Sequence, residues 1–147
     1  MFLLIQKDFL FVDFEGEPSR PLTERRIKRS PLKDVAGMLR SFHYAAVTVC
    51  FEQLKITPEM KKVLYQWSVY WYRWVSRIFF ISYYKKILSQ QLIPQELNLS
   101  LLLLKSYMLE KVLYEIEYEL HHRPDWLIFP CYGLLDLIGK TDDAKGF

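Results

Sequence analysis

The sequence has few cysteines, little net charge and no long uninterrupted apolar run. Its two cysteines, Cys50 and Cys131, lie far apart and match no metal-binding or redox spacing. This spacing argues against a disulfide framework. It predicts that both cysteines are reduced core residues of a cytoplasmic protein. The net charge of +3 is too small to indicate a nucleic-acid partner.

Signals for secretion or membrane insertion are also missing. The apolar start, Met1 to Ile5, is too short for the apolar region of a signal peptide. The most apolar helical region is interrupted by Arg73 and Arg77 and ends at the pair Lys85-Lys86. The sequence therefore predicts a cytoplasmic protein without a membrane partner.

Apolar residues, many of them aromatic, are abundant in the sequence. Apolar residues make up 51% of the 147 residues, and aromatic residues make up 16%. A chain of this length fits one domain with a sizeable core.

Ser30-Pro31 and Thr57-Pro58 predict helix starts, because each places a capping hydroxyl before a first-turn proline. A third helix is predicted from Leu99 to about His121, so the fold class is mainly α.

The predicted second helix carries a dense aromatic patch from Tyr65 to Tyr84. A helix that is apolar nearly all round is typically buried, and this pattern predicts core packing. Stacking of the rings on sugars is the alternative.

The N-terminal segment has a different pattern. Phe2 to Ile5 and Phe9 to Val12 are short apolar runs that predict a β-hairpin. Asp13 and Glu15 follow the second run, beside a glycine. Carboxylates delivered by a strand into such a loop suit Mg²⁺, although acids can also simply line a turn.

A basic arm with three prolines spans residues 18–31. Proline and charge predict an extended arm or a short helix. It is either a solvated loop or a segment whose arginines approach nucleotide phosphate or sugar.

Two ordered motifs carry a resemblance to a known family. The first is Asp13-Phe14-Glu15-Gly16-Glu17-Pro18, Arg20-Pro21, Glu24-Arg25-Arg26, Ser30-Pro31-Leu32 and Asp34 to Phe42. The second is Leu109-Glu110-Lys111, Leu113-Tyr114-Glu115, Tyr118-Glu119-Leu120 and Arg123-Pro124-Asp125-Trp126. Together they resemble the maltokinase family, which includes the kinase part of trehalose synthase–maltokinase fusion proteins.

The resemblance implies a protein-kinase-like fold close to the aminoglycoside phosphotransferases. It implies ATP-dependent phosphorylation of maltose to maltose 1-phosphate, with ATP and Mg²⁺ as cofactors. Asp13, with Glu15, would hold the metal at the Asp-Phe-Gly position. Glu115, Arg123 and Trp126 would form the sugar pocket, because a hydroxyl-rich sugar needs acceptors, donors and an aromatic face.

The family's catalytic base lies in a His-Gly-Asp motif that these 147 residues do not contain, nor is a phosphate-covering N-lobe recognisable. The sequence thus resembles a C-terminal lobe alone, inactive by itself, completed by an N-terminal kinase half or a fused trehalose synthase. A non-catalytic fragment or degenerate gene product with only a binding role is the alternative. Tyr132 also departs from the family, which usually has Arg before the glycine at Gly133.

The predicted organisation has four parts. Residues 1–17 form the hairpin and metal-binding loop, and residues 18–31 the basic arm. Residues 32–139 form a helical subdomain, and residues 140–147 a frayed tail.

Overall fold

The computed structural model describes residues 2–5, 8–11, 21–52 and 57–139, and the side chains of 21–50 and 57–139. These residues are mainly helical, as the sequence predicts. Strands β1 (Phe2–Ile5) and β2 (Asp8–Phe11) pair in antiparallel register, with Phe2 opposite Phe11. The tail of residues 140–147 lies outside the described part.

Five α-helices follow in the described chain. They are α1 (Leu22–Arg25), α2 (Leu32–Glu52), α3 (Pro58–Ile87), α4 (Leu97–His122) and α5 (Ile128–Leu137). Short 3-10 turns at Leu88–Gln90 and Pro124–Trp126 follow α3 and α4. The described part of the basic arm, residues 21–31, therefore contains one helical turn, α1, which buries none of its residues.

The helix starts form where the capping residues stand. The Ser30 hydroxyl accepts a hydrogen bond from the Leu32 amide at 3.3 Å, and the Thr57 hydroxyl accepts one from Met60 at 3.3 Å. Proline in the first turn costs no hydrogen bond there, because the first amides of a helix have no partner within it. Both predicted starts are confirmed.

Helix α2 is the centre of the fold. It packs against α3, α4 and α5, and α5 also packs against α4. The core is formed by one face of α2 with residues from α3, α4 and the loop between them. Its buried members are Leu32, Val35, Ala36, Leu39, Phe80, Ile93, Leu104 and Met108.

The aromatic patch on α3 is only partly in this core, so the prediction of core packing is wrong for four of the ten aromatic residues from Tyr65 to Tyr84. Tyr72 and Phe80 are buried, whereas Trp67, Trp71 and Trp74 are exposed. The reason is geometric, because among the described elements the main neighbour of α3 is α2, which covers only one side of it. A cylinder packed on one neighbour keeps its opposite face open.

Candidate functional site

The described residues bring the predicted sugar-pocket side chains to one end of the fold. Glu115 lies in α4, Arg123 follows its last turn, and Trp126 ends the 3-10 turn after it. Pro124 helps to end the helix there, since the residue before a proline is disfavoured in helical conformation. The chain turns back at this point, which keeps all three side chains close to the C-terminal half of α4.

A buried arginine is the centre of the site. Arg40, on α2, is 1% exposed and donates to Glu115 Oε2 from Nε at 3.0 Å and from Nη2 at 2.7 Å. Burial raises the pKa of the Glu115 carboxyl, while the Arg40 charge acts in the opposite direction. The pair therefore joins α2 to α4 through a charge that has almost no contact with solvent.

The second carboxylate of the site, Glu119, is also buried and lies one helical turn beyond Glu115. It accepts hydrogen bonds from Arg123, from Nε at 3.0 Å and from Nη2 at 2.8 Å. Tyr44, on α2, donates its hydroxyl to Glu119 Oε1 at 3.3 Å. Burial, followed by the charges of Glu115 and Glu119, raises the pKa of Tyr44, so its hydroxyl keeps its proton and remains a donor.

Arg123 is the member of this cluster that solvent reaches best. Its guanidinium carbon lies 4.5 Å from the centroid of the Trp126 ring and 5.7 Å from that of Tyr118. Trp126 in turn meets Phe129 edge-on, with 5.2 Å between the ring centroids. The arginine thus lies between a carboxylate and an aromatic ring, and its two hydrogen bonds to Glu119 orient its remaining donors.

Gly133 makes room for Arg40. A Cβ atom at this position would collide with the Arg40 guanidinium, at atoms Nη1, Cζ and Nη2. Glycine in α5 is therefore what allows that helix to approach the buried ion pair. Tyr132, the neighbour at which the chain departs from the resembled family, packs its ring 5.6 Å from that of Tyr65 on α3.

We call the six side chains at this end of the fold the polar cluster. Its members are Arg40, Tyr44, Glu115, Glu119, Arg123 and Trp126.

Sequence reasoning missed Arg40, Tyr44 and Gly133 as parts of the site. One signal was present: Arg40 falls on the apolar stripe of α2, between Ala36 and His43, both of which are buried. A charged residue at such a position requires a buried partner of opposite charge, because an isolated buried charge is costly.

The predicted metal ligands Asp13 and Glu15 lie outside the described residues. Within the described part of the chain, no three His, Cys, Asp or Glu side chains converge as a metal site would require. The adjacent histidines turn back on their own helix, His121 to the carbonyl of Glu117 and His122 to that of Tyr118.

No known family model matches the sequence. None of the described helices is both long enough and apolar enough to cross a membrane.

Proposed function

We propose that these residues form the C-terminal lobe of a maltokinase-like sugar kinase, with the polar cluster on the acceptor-sugar side. Maltose would be the acceptor and ATP the phosphoryl donor. Asp13 and Glu15 would bind Mg²⁺, which neutralises charge on the transferring phosphoryl group. The catalytic base and the phosphate-covering lobe would come from outside these residues, and the protein would act in the cytoplasm.

The observation that supports this proposal best is the position of Arg123. Its guanidinium is bonded to Glu119 and lies over Trp126, and its side chain is 47% exposed. An oriented arginine beside a carboxylate and an aromatic ring has the chemistry that a neutral, hydroxyl-rich sugar requires.

The three predicted sugar contacts have unequal support. Glu115 directs Oε2 to Arg40, and its side chain is only 12% exposed. One face of Trp126 already holds the Arg123 guanidinium. Arg123 is therefore the strongest candidate for direct contact, and Glu115 and Trp126 would mainly position their arginines.

A binding or structural role without catalysis is the second candidate. The observation that favours it is charge balance, because the two arginines of the cluster are each bonded to one of its two carboxylates. Such a cluster can serve purely to orient α4 against α2. Retained ion pairs of this kind do not by themselves require a ligand.

Steady-state kinetics can separate the two candidates. The chain would be joined to a kinase half that carries the His-Gly-Asp motif, and maltose phosphorylation would be measured with ATP and Mg²⁺. Arg123→Lys keeps the charge but loses the fork of donors, so the maltose KM should rise about 10- to 100-fold. Asp13→Asn should instead lower kcat by orders of magnitude, with a smaller effect on the maltose KM.

Lys33→Ala is the matched control for Arg123→Lys. Lys33, on α2, forms a partly exposed ion pair with Glu110 on α4, with 2.9 Å between Nζ and Oε1. Neither residue belongs to the polar cluster. Lys33→Ala should leave both constants near their starting values. If Arg123→Lys behaves like this control in an active fusion, the sugar binds elsewhere. If the kcat of Asp13→Asn stays near that of the unmodified fusion, the metal assignment is wrong.

A further inference from the structure

Trp71 marks the edge of the α2–α3 contact, because its ring meets that of Phe42 with 6.4 Å between the centroids. From this edge outward, an exposed apolar surface runs along α3. We call it the aromatic stripe. Its members are Met60, Val63, Trp67, Tyr70, Trp71, Trp74, Ile78 and Ile81, all of them exposed. None of the functional residues proposed above lies on it.

The stripe is continuous and ordered. Tyr70 meets Trp67 edge-on, with ring centroids 5.8 Å apart, and Trp74 with centroids 6.2 Å apart. At 1.5 Å per residue, Met60 to Ile81 spans about 32 Å. A Trp or Tyr side chain has about 150–250 Å² of surface. The four aromatic residues of the stripe are 45% to 66% exposed, so their rings alone present roughly 400 Å² to solvent.

Together with its four aliphatic members, the stripe exceeds the largest apolar patch of a typical monomer, which is roughly 300–600 Å². With its aliphatic members, the stripe approaches the roughly 800 Å² per partner that a standard protein interface buries. The area is therefore sufficient for a stable contact with another protein surface.

The spacing of the stripe indicates a helix as the partner. Met60, Trp67, Trp74 and Ile81 follow one another at seven-residue steps, and so do Val63 and Tyr70, and Trp71 and Ile78. A seven-residue apolar repeat is the pattern of helices that pack side by side with a slight left-handed crossing.

The order of the stripe is symmetric about its middle. A twofold axis between Tyr70 and Trp71 places every stripe residue opposite another stripe residue of an antiparallel second copy. The facing pairs are Met60 with Ile81, Val63 with Ile78, Trp67 with Trp74, and Tyr70 with Trp71. A twofold interface requires this self-complementarity, because the same patch serves both partners.

The charges of α3 favour the same orientation. Lys85 continues the stripe beyond Ile81, and Glu59 is the only acidic residue of the helix. Parallel packing would bring the two Lys85 side chains together, whereas antiparallel packing places Glu59 within one turn of Lys85 of the second copy. Antiparallel helix dipoles also oppose each other favourably.

From the area, the spacing and the charges we infer that the aromatic stripe is the interface of a homodimer, formed by antiparallel packing of α3 against α3 of a second copy. Residues of the polar cluster take no part in this contact. The dimer is thus independent of the proposed kinase function.

Sedimentation equilibrium of the full chain gives the first test. The chain should sediment with twice the mass of one chain, and Tyr70→Glu should weaken the dimer at least 100-fold by placing charge beside the twofold axis. Leu102→Glu is the matched control, an equally exposed apolar residue on α4. It should change the dissociation constant less than threefold.

Cysteine cross-linking tests the orientation without disturbing the centre of the stripe. Cys50→Ala and Cys131→Ala would first remove the native cysteines. Met60→Cys and Ile81→Cys would then be introduced separately, into two chains of different size so that each can be recognised in a cross-linked product. Oxidation of the mixture should join position 60 to position 81, while neither variant alone should cross-link. Circular dichroism would verify that each variant keeps its helix content.

Three results would overturn the inference. One is a monomer at all concentrations, including a monomer that binds vesicles of anionic lipid through its tryptophans. Another is cross-linking of Met60→Cys to itself, which would indicate parallel helices. The third is a dimer that Tyr70→Glu leaves intact while the helix content is unchanged.

Discussion

Arg40 shows how one residue can connect two helices of this protein. Its guanidinium is fully buried, and both of its hydrogen bonds to Glu115 cross from α2 to α4. Removing one partner of a buried pair leaves the other charge without compensation, which costs more than the pair contributes when intact. Arg40 is therefore a position where truncation and replacement should have different effects.

The expected cost can be measured by urea unfolding. Arg40→Ala should lower the free energy of unfolding by about 3–5 kcal/mol, because it leaves Glu115 buried and unpaired. The half-exposed pair of Lys33 with Glu110 is the control, and Lys33→Ala should cost no more than about 1 kcal/mol. In the double variant Arg40→Met with Glu115→Gln, part of the lost stability should return. Equal costs for Arg40→Ala and Lys33→Ala would contradict the account of Arg40.

His43 makes stability depend on pH. Burial, and next the charge of Arg40, lowers its pKa from 6.5 to about 3. Its Nδ1 is buried and has no hydrogen-bond partner among the described residues, and its ring meets that of Tyr72 edge-on at 5.1 Å. The folded chain keeps this histidine neutral where the unfolded chain would protonate it.

The sign follows from proton uptake. Between pH 6.5 and about 3 the unfolded state binds more protons at His43, so the free energy of unfolding falls as pH falls. From pH 7 to pH 5 this residue should remove about 2 kcal/mol. Urea unfolding of His43→Gln at both pH values should lack that component, whereas exposed His121→Gln should retain it. The same pH dependence in His43→Gln and the parent would show that another group is responsible.

At the scale of the elements, α2 and α5 each contain a glycine, and the two glycines differ in what surrounds them. Gly37 in α2 has open space where a Cβ would be added. Gly133 in α5 faces the Arg40 guanidinium, which Glu115 holds in place. The same substitution should therefore have opposite signs at the two positions.

Thermal or urea unfolding can verify this contrast. Gly37→Ala should stabilise the chain by about 0.5–1 kcal/mol, because alanine loses less backbone entropy in a helix. Gly133→Ala should destabilise it by about 1–3 kcal/mol, because the added methyl group displaces a buried, bonded side chain. Combining Gly133→Ala with Arg40→Ala should remove most of the extra cost of the glycine change. If Gly133→Ala stabilised the chain as Gly37→Ala does, the close approach of α5 to Arg40 would be wrong.

Helix α3 is joined to the rest of the fold by polar contacts as well as by its apolar face. Arg73 pairs with Asp136 of α5 at 3.1 Å, and Cys50 of α2 lies 3.2 Å from the Ser68 hydroxyl. These contacts fix the rotation of α3 about its axis. They thereby direct Tyr72 inward and the aromatic stripe outward.

At the scale of the whole molecule, the proposed kinase lobe needs a base that these residues do not contain. The purified chain should therefore not phosphorylate maltose with ATP and Mg²⁺, because proton removal from the acceptor and closure over the phosphates both require missing parts. Formation of maltose 1-phosphate can be followed with labelled ATP. Turnover clearly above a blank without protein would refute the proposal of an incomplete kinase.

Local chemistry determined much of this protein by itself. The starts of α2 and α3 follow from a hydroxyl residue before a proline, and the end of α4 from Arg123 before Pro124, because each signal acts over one helical turn. The shared face of Glu115 and Glu119 also follows from helical spacing alone. These features needed no knowledge of the rest of the chain.

Only the tertiary structure decided which faces are covered. The pattern of α3 is apolar on nearly every side, so periodicity could not tell that Tyr72 is buried while Trp67 is 66% exposed. Likewise, Arg40 acquires its partner from a helix 75 residues away, and Gly133 gains its meaning only when α5 meets that arginine. Burial depends on which neighbours an element meets, and those neighbours come from distant parts of the chain.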